Sequence, residues 1–564
     1  MNLDLRHVPF SRAGSFLAIS YLKPPGESRE GLYLRTVHGG VPRTEILRLE
    51  PVAGGVPAAF AAEAGATLLR LLPESGGSIE ICLPEPGKVR LRGQGAGLRL
   101  TLIPGAYANA VPRAGQSYEI NGYEQRIKLM LTPLCGEMRL DAPWEVDRCL
   151  RVIADLLPGG DGRWECMLEE CLSDRVGGVY TQDFADDLAA VEGEYGSFLA
   201  MTPEVPAEYA AGRELAAYIT WSCLAGPSGA LARPAMYMSK NWMTSVWSWD
   251  HCFNAMALAR RDPALAWDQF MLPFDRQDES GALPDSWNDQ EAVWNFCKPP
   301  VHGWTLAWMR RRTDQIGTDR LAEIYMPLRR WTEWWFASRD DDHDGFPQYN
   351  HGNDSGWDNA TVFHAGVPVE GPDLAAFLVL QMEELAEIAR ALGKDREAGE
   401  WRTRARELLE RMLGHFWRGG RFVAPRSGSH AVFEEGDSLF NFLPVVLGRR
   451  LPAEVLRLLV EGLKEEGRFL TAHGLATESQ RSPLYEPDGY WRGPIWAPST
   501  MLIVDGLRQA GEDEFARELA RRFCAMAAHS GMAENYDALT GAGLRDRAYT
   551  WTASVFLILA SEYL

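Results

Sequence analysis

Residues 372–392 read PDLAAFLVLQMEELAEIARAL and decide the fold class of the second half of the chain. Their large apolar side chains recur at helical spacing, at Leu374, Phe377, Leu378, Leu385, Ile388 and Leu392. Pro372 suits the first turn of a helix, and Gly393 suits its end. A second amphipathic stretch at 397–413 follows after a short turn, so the two stretches are predicted to form an antiparallel helical hairpin.

The helical period continues on both sides of this hairpin. After residue 205 we predict further helices at 207–224, 249–261, 303–315, 318–338, 452–466, 494–510, 513–529 and 548–563. The loops between them are rich in Trp, Gly, Asp and Asn, and the sequence shows no solenoid repeat. This pattern favours a closed ring of helix pairs with its functional residues in the loops at one mouth.

The first 200 residues have a different character. Runs of strand length, separated by Gly and Pro turns, occur at 66–71, 78–83, 88–92, 97–103 and 127–132. Of the 20 tryptophans, only Trp144 and Trp164 lie there. We therefore predict an N-terminal β-sandwich domain with its linker at 1–200 and a helical catalytic domain at 201–564, connected through the acidic segment 182–195.

The charge balance excludes several classes of partner. The 564 residues include 57 Lys and Arg against 77 Asp and Glu, a formal net charge of −20. Such a surface repels phosphate backbones and anionic lipids, so neither nucleic acid nor membrane is an expected partner. Hydrophobic residues at 46% and charged residues at 24% are typical of a globular protein.

Cysteine usage predicts a cytoplasmic location. The nine cysteines include no C-x-x-C pair and are odd in number, which is typical of reduced, mostly buried thiols. The N-terminal sequence MNLDLRHVPFSRAG lacks the apolar core of a signal peptide. No apolar run approaches the roughly 18 residues of a membrane span.

Four groups of loop residues carry the candidate chemistry. Each mixes aromatic rings with carboxylates and with amide, imidazole or cationic groups: WSWDHCF at 247–253; GALPDSW at 281–287 with KPPVHGW at 298–304; DSGWDN at 354–359; and YWRGPIW at 490–496 with ENYD at 534–537. Indole rings cover the apolar faces of a pyranose, and the polar groups bind its hydroxyls. Hydrolysis of its acetal needs two carboxyl groups, one as proton donor and one to activate water or attack carbon. These loops therefore predict a site for a small-molecule sugar substrate.

Simpler explanations compete for some of the residues. Trp331, Trp334 and Trp335 have helical spacing and are expected in the core. Capping of a helix is the alternative role for Asp250. The histidines, among them His302, do not have the spacing of zinc ligands, so a catalytic zinc is not expected.

In their order along the chain, the motifs resemble those of glycoside hydrolase family 63. The shared elements are W-x-W-D-H-C-F-N, L-P-D, K-P-P-V-H-G-W, D-S-G-W-D-N, Y-W-R-G-P-I-W, E-N-Y-D and a terminal W-T-A, which together span about 240–560. The resemblance implies an inverting α-glycosidase on an (α/α)6 barrel. The family includes α-glucosidases and hydrolases of mannosylglycerate and glucosylglycerate. Residues 1–200 resemble it only loosely, through the β-domain that many members carry.

The resemblance also implies roles for individual residues. Asp358 matches the family's general acid, with a pKa raised by apolar neighbours, and Glu534 matches its general base, which should stay ionised. Asp354 is the main rival of Asp358 and is interpreted as a group that orients the loop. The expected substrate-binding residues are Trp247, Trp249, Asp250, His251, Asp285, Lys298, His302, Trp304, Trp357, Trp491, Arg492, Trp496 and Tyr536.

The predicted activity is that of an α-glucosidase acting on a short glucoside or oligosaccharide. Family members that act on mannosylglycerate tend to have Gln before Pro-Pro, where this chain has Lys298. A lysine is equally suited to meet a substrate carboxylate, so hydrolysis of glucosylglycerate, mannosylglycerate or trehalose is the alternative. An inverting phosphorylase or a carbohydrate-binding protein on the same barrel is the alternative from another class. Few basic residues lie near the motifs, chiefly Lys298 and Arg492, which favours hydrolysis over phosphorolysis.

No cofactor is expected to be required, but one loop predicts a structural metal. Asp340, Asp342 and Asp344, followed by Gly345, have the alternating spacing of a calcium loop. His351 stands where an EF-hand has Glu, so the loop is not an EF-hand. Some family relatives bind calcium at the equivalent loop. Structural calcium is thus one interpretation, and a solvated acidic turn is the other.

Overall fold

The computed structural model describes residues 1–25, 30–171, 173 and 178–564. Strands dominate the part that ends at Cys171, and helices dominate after it. The first helix, Phe184–Met201, occupies most of the segment predicted as a connector, which is therefore helical. Asp183 starts this helix because its carboxylate accepts a hydrogen bond from the Asp186 N–H.

The N-terminal region forms two antiparallel sheets. Its strands are β1 (Leu17–Leu22), β2 (Gly31–Thr36), β3 (Glu45–Ala53), β4 (Val56–Pro57), β5 (Phe60–Ala64), β6 (Leu69–Pro73), β7 (Ser78–Cys82), β8 (Lys88–Gln94), β9 (Gly97–Leu102), β10 (Asn109–Pro112), β11 (Tyr118–Gly122), β12 (Ile127–Cys135), β13 (Glu137–Asp141), β14 (Trp144–Glu145), β15 (Arg148–Cys149), β16 (Ile153–Leu157) and β17 (Arg163–Cys171). One sheet has the order β1-β2-β3-β9-β16-β13, with β4 on β3, and the other has the order β10-β11-β12-β17-β8-β7-β6-β5. Leu69 and Leu71 are buried while Arg70 between them is exposed, which is the alternation of a sheet with one face in the core.

The helical region consists of hairpins whose members alternate between two layers. Its helices are α1 (Phe184–Met201), α2 (Ala210–Ser222), α3 (Asp250–Leu258), α4 (Pro263–Met271), α5 (His302–Arg310), α6 (Thr318–Ser338), α7 (Pro372–Ala391), α8 (Asp395–Phe416), α9 (Ala453–Lys464), α10 (Ala497–Ala510), α11 (Asp513–Ser530) and α12 (Thr550–Glu562). The hairpin predicted at 372–413 is confirmed, because α7 packs along α8. The apolar residues of the two helices explain the two layers. Those of α7 cover almost its whole circumference, so it lies in the inner layer, whereas those of α8 form one stripe, so it lies in the outer layer.

Six segments form a closed inner ring. In ring order they are α3, α5, α7, the 3-10 segment Leu439–Arg450, α10 and α12, and α12 closes the ring on α3. The outer layer consists of α2, α4, α6, α8, α9 and α11, each packed on a member of the ring. Two layers of alternating helices closed in this way make a barrel of helix pairs.

Short strands lie in the loops that lead into the inner helices. They are β18 (Leu224–Ala225), β19 (Ala235–Met236), β20 (Val246–Trp247), β21 (Ser286–Trp287), β22 (Ala292–Val293), β23 (Gln348–Tyr349), β24 (Val369–Glu370), β25 (Trp417–Arg418), β26 (Arg421–Phe422), β27 (Ile495–Trp496), β28 (Asn535–Tyr536) and β29 (Gly543–Leu544). Their pairing fixes the loops on which the candidate site is built.

Buried polar contacts join the N-terminal segment to the barrel. The ammonium group of Lys240 donates to the carbonyl oxygens of Ser15 at 2.6 Å, Arg12 at 3.1 Å and Leu224 at 3.3 Å, and burial lowers its pKa to about 7. His38 bridges the two regions, with one ring nitrogen 2.7 Å from the carboxylate of Glu170. Its other ring nitrogen lies 2.6 Å from the carboxylate of Asp289. The two regions therefore share a packed, hydrogen-bonded boundary.

The cysteines and helices agree with the compositional predictions. All nine cysteines are free thiols, and all except Cys135 are buried. Within the described residues, no helix combines the length and the apolar character that a membrane span requires.

Candidate active site

The loop after β23 is fixed in place by Asp354. This side chain is 1% exposed and accepts hydrogen bonds from the backbone N–H groups of Cys297 at 3.0 Å, Asn350 at 2.8 Å and His351 at 3.1 Å. Its second oxygen also accepts from the guanidinium of Arg339 at 3.0 Å. A carboxylate that accepts hydrogen bonds from four donors acts as an acceptor and holds the loop in place. The geometry thus agrees with an orienting role for Asp354.

The loop then turns towards the barrel axis at Gly356. This glycine has φ +73°, and a Cβ atom there would lie 2.5 Å from Cζ2 of Trp249. Only glycine therefore allows the backbone to lie directly on that indole. The turn buries Trp357 and brings Asp358, two residues on, beside the start of α3.

Asp358 lies in a buried, mostly acidic neighbourhood. Burial raises the pKa of its carboxyl, the cation of Lys298 opposes this, and the charge of Asp285 adds to it. Lys298 is itself 4% exposed and forms an ion pair with Asp285 at 2.7 Å. It also donates to the Asn353 carbonyl oxygen at 2.8 Å. The raised pKa of Asp358 is the condition that a proton donor requires.

Asp250 shares this neighbourhood and does not cap α3. The N-cap position belongs to Trp249, and Asp250 is the first helical residue. The Asp250 side chain is 3% exposed, and burial raises its pKa well above the usual range, with the charge of Asp358 contributing. The capping alternative is therefore excluded for Asp250.

Glu534 approaches from a different part of the barrel. It directly precedes β28, which pairs with β27 on one side and β29 on the other, and its N–H donates to the Asp546 carbonyl oxygen at 2.7 Å. Burial, followed by the charge of Asp546, raises the pKa of Glu534 to about 7. The ionised base stays a prediction, and burial of this carboxylate next to another one makes its charge depend on pH near neutrality.

Two tyrosines connect the two sides. The Tyr490 hydroxyl donates to Oε1 of Glu534 at 3.3 Å. Burial raises the pKa of Tyr490, and the charges of Glu534 and Asp358 both raise it further. Burial and the charges of Glu534 and Asp250 likewise raise the pKa of Tyr549. Asp358, Glu534 and Asp250 therefore converge on one region, although they are far apart in sequence.

Tryptophans form the wall of this region. Trp491 stacks on Trp496 with ring centroids 4.0 Å apart and planes at 7°, and it lies 4.7 Å from Trp357. The rings of Trp249 and Trp491 lie next to each other, with centroids 6.4 Å apart. The backbone N–H of Trp491 donates to Asn359 at 2.9 Å, which ties the 490–496 loop to the loop of Asp358. Three of the four predicted loop groups thus meet in one aromatic wall.

Four predicted substrate ligands lie in the core instead. His251 and His302 have no exposed surface, and their rings pack on each other at 5.2 Å. Trp304 is 2% exposed, and its indole N–H donates to Asp505 on α10 at 2.8 Å. The Tyr536 hydroxyl donates to the Gly531 carbonyl oxygen at 2.6 Å. Periodicity turns each of these side chains away from the motif residue before it, along a helix for His251, His302 and Trp304 and along β28 for Tyr536.

Two others lie at the rim. Arg492 is partly exposed and pairs with Glu486 at 2.8 Å. Trp247 is partly buried on β20, and its carbonyl oxygen lies 3.1 Å from Nδ1 of His251.

The sequence analysis missed several groups that act on the carboxyl pair. Tyr490 is part of the Y-W-R-G motif but was not assigned a role, and Tyr549, Arg545 and Asp546 lie outside the quoted motifs. The guanidinium of Arg545 lies 4.9 Å from the Tyr490 ring centroid and pairs with Asp488 at 2.7 Å. The one local indication of these groups in the sequence is the adjacent pair Arg545 and Asp546, shortly before the W-T-A motif.

The acidic loop after α6 does bring its carboxylates together. Ligand atoms of Asp340, Asp342 and Asp344 lie within 4.8 Å of one another. Asp344 also belongs to a second group of this kind, with Glu370, His415 and His430. Calcium prefers oxygen ligands, and the imidazoles beside these carboxylates do not suit it. Calcium binding at this loop stays a prediction.

Sequence comparison relates the barrel to known enzymes. A family model described as a mannosylglycerate hydrolase MGH1-like glycoside hydrolase domain matches residues 243–552. The mannosylglycerate hydrolase of Thermus thermophilus is 24% identical over 394 residues, which are 55% of this chain and 93% of that enzyme. The glucosylglycerate hydrolase of Mycolicibacterium hassiacum is 23% identical over 408 residues, which are 55% of this chain and 91% of that enzyme.

Structural comparison extends the similarity to the whole chain. A crystal structure of a GH63 mannosylglycerate hydrolase from Thermus thermophilus in complex with glucose has a TM-score of 0.54 and 19% identity, covering 61% of this chain and 99% of that one. A bacterial glucoamylase complexed with acarbose has a TM-score of 0.64 and 12% identity, covering 100% of this chain and 95% of that one. At these identities the likeness concerns the fold, which is the glucoamylase-like (α/α)6 type with a strand-rich N-terminal region.

Proposed function

The chain belongs to the MGH1-like glycoside hydrolases and is a family 63-like glycosidase, and from this premise we propose that it hydrolyses a short, uncharged α-glucoside with inversion. The observation that carries the proposal is the convergence of Asp358 and Glu534 on the Tyr490 hydroxyl. A partly buried and a buried carboxyl group at one site with an aromatic wall are the groups that a glycosidase needs.

In the proposed reaction, Asp358 gives its proton to the glycosidic oxygen as the bond to C1 breaks. Glu534, in its ionised form, takes a proton from water as that water attacks C1 from the opposite face of the ring. A pKa of about 7 for Glu534 means that its ionised, proton-accepting form is accessible near neutral pH. The Tyr490 hydroxyl stabilises the ionised form by donating to it.

We propose that the sugar lies against Trp249 and Trp491, with its hydroxyls bound by Asp250 and Asp285. Lys298 then acts mainly by orienting Asp285, with which it pairs at 2.7 Å. His251, His302, Trp304 and Tyr536 are proposed to support these loops and not to touch the sugar, since the two imidazoles pack on each other and the other two side chains bond to Asp505 and to the Gly531 carbonyl oxygen.

The charges near the site favour an uncharged substrate. Lys298, Arg492 and Arg545 already pair with Asp285, Glu486 and Asp488. Glu534 adds negative charge in its ionised form, whereas Asp358 is protonated as the proton donor. The carboxylate of a glycosylglycerate would meet this acidic surface with no cation among these three to spare, which is electrostatically unfavourable. The named activities of the relatives support that substrate class as the second candidate.

The experiment is a product analysis by proton NMR. Purified protein is incubated with α-linked glucose disaccharides, trehalose, glucosylglycerate and mannosylglycerate, each with and without phosphate. We expect turnover of an uncharged α-glucoside that releases β-glucose first and does not depend on phosphate. Preference for a glycosylglycerate would refute the charge argument, first-formed α-glucose would refute inversion, and a sugar phosphate product would identify a phosphorylase.

A further inference from the structure

The loop after α6, the strand β24 and the end of α8 bring two histidines and two carboxylates together away from the carboxyl pair. Asp344 lies in the loop, Glu370 on β24, His415 in the last turn of α8, and His430 in the loop after β26. Each offers one ligand atom within 4.8 Å of those of the others. We infer that Asp344, Glu370 and His430 bind a divalent transition metal of the zinc type, with His415 orienting Glu370, and that the ion holds three segments of the barrel together.

The distances between the ligand atoms fit one small cation. Nε2 of His430 lies 3.5 Å from Oδ2 of Asp344 and 3.8 Å from Oε1 of Glu370, and Nδ1 of His415 lies 3.7 Å from the same Asp344 oxygen. Bonds of 2.0–2.2 Å to a tetrahedral zinc would place neighbouring ligand atoms about 3.3–3.6 Å apart. The two separations at His430 are close to these values, so an ion fits between His430, Asp344 and Glu370.

One ligand atom is buried with no hydrogen bond of its own. Glu370 has no exposed surface, and its Oε1 accepts no hydrogen bond from the described residues. An uncompensated carboxylate oxygen in the interior is costly, and a cation in front of it removes the cost. This oxygen faces His430, so it points into the cluster.

The other atoms of the same groups are already held in place. Nε2 of His415 lies 2.5 Å from Oε2 of Glu370, so this imidazole orients the carboxylate whose other oxygen faces His430. Oδ1 of Asp344 accepts from the Phe346 N–H at 2.9 Å, which leaves Oδ2. Phe346 also stacks on the His415 ring at 4.5 Å. Carboxylates that bind a metal are commonly held in this way, by a hydrogen bond to their second oxygen.

The donor set selects the class of metal. Calcium takes six to eight oxygen ligands, whereas mixed imidazole and carboxylate sets suit zinc and its neighbours. Asp342 lies 3.3 Å from the same His430 nitrogen and is the nearest further oxygen. The His430 side chain is 40% exposed, so an ion can enter from solvent on that side.

The test uses the full chain, stripped with a chelator and dialysed. Zn²⁺, Co²⁺ and Ca²⁺ are titrated separately by calorimetry, and the visible spectrum is recorded with Co²⁺. The variants are His430→Ala and Glu370→Gln, and His529→Ala is the control because that histidine is exposed on α11. Melting temperatures are measured with and without each metal, and hydrolysis is followed in parallel.

We expect one Zn²⁺ per chain, a rise in melting temperature with Zn²⁺, and visible Co²⁺ bands from imidazole ligands. His430→Ala and Glu370→Gln should each weaken Zn²⁺ binding roughly tenfold or more, while His529→Ala should not. The inference is overturned if Zn²⁺ does not bind, if both variants bind it as the wild type does, or if Ca²⁺ displaces it at equal concentration. Because the cluster is separate from Asp358 and Glu534, these results do not depend on whether the proposed hydrolysis is correct.

Discussion

The loop of Asp358 and the segment of Glu534 hold their carboxyl groups in opposite ways. Residues 350–359 are fixed by hydrogen bonds that converge on Asp354. The segment around Glu534 is fixed by the pairing of β27, β28 and β29, and a second carboxylate, Asp546, lies next to the functional one. Asp354, which accepts four hydrogen bonds, fixes the position of its loop, whereas the charge of Asp546 raises the pKa of Glu534. The first region therefore determines where Asp358 lies, and the second determines how strongly Glu534 binds a proton.

The comparison also separates two aspartates in one loop. Asp354 accepts four hydrogen bonds and is 1% exposed. Burial raises the pKa of Asp358, and the charge of Lys298 opposes this only in part. The sequence alone gives the two residues similar surroundings, since each is next to an asparagine and two residues from Gly356. Their surroundings therefore favour different roles, with Asp354 orienting the loop and Asp358 donating the proton.

Removal of either proposed catalytic carboxyl should have the largest effect. Asp358→Asn and Glu534→Gln should each lower kcat by about 10²–10⁴-fold, the range that proton transfer by a positioned group contributes. Both changes keep the side-chain shape, so the melting temperature should stay near that of the wild type. Steady-state kinetics and a thermal melt test this, with the exposed Asp314→Asn as control. Activity of Asp358→Asn within a few-fold of the wild type would remove it from the mechanism.

Asp354→Asn should act through the loop. The change removes the charge that pairs with Arg339 and one of the acceptors for three backbone N–H groups, so the free energy of unfolding should fall by roughly 1–3 kcal/mol. Displacement of Asp358 should lower kcat by up to about 10²-fold. The alkaline limb of the pH–rate profile should remain, because Asp358 is still present. Loss of that limb in Asp354→Asn, with a normal melting temperature, would make Asp354 the acid.

The sequence predicted the helical hairpins well because their apolar periods are long. The α7–α8 hairpin differs from its prediction only at its ends. It also identified the loops that meet at the aromatic wall. It did not distinguish residues that face the site from those that face the core within one motif, as at Asp250 and His251, since loop geometry decides this. Tyr549 and Asp546 were missed because their effect on Glu534 arises from tertiary proximity.

Asp546→Asn should change the pH profile and little else. The Asp546 charge raises the pKa of Glu534, so its removal should lower that pKa from about 7. A base with a lower pKa stays ionised to lower pH, so the acidic limb of kcat/KM should move to lower pH. The asparagine oxygen can still accept from Asn241 and the Ala548 N–H, so the melting temperature should change little. An unmoved acidic limb would show that this limb does not report Glu534.

Tyr490→Phe should move the same limb in the opposite direction, with a smaller effect. The hydroxyl donates to Glu534 and lowers its pKa, so its loss should raise that pKa and shift the acidic limb to higher pH. Tyr536→Phe is the matched control, because that hydroxyl bonds to the backbone of the 531–533 turn. The control should lower stability without a shift of the limb. Equal limb shifts in both variants would contradict a specific contact between Tyr490 and Glu534.

The most direct test of the central claim, that Asp358 is the acid and Glu534 the base, uses a substrate that needs no acid. Fluoride leaves α-glucosyl fluoride with little protonation, whereas a disaccharide requires a proton on its leaving oxygen. Hydrolysis of both substrates is measured for the wild type, Asp358→Asn and Glu534→Gln. We predict that Asp358→Asn keeps most of its activity on the fluoride and loses it on the disaccharide, while Glu534→Gln loses both. The reverse pattern, with the fluoride hydrolysed by Glu534→Gln and not by Asp358→Asn, would contradict the assignment.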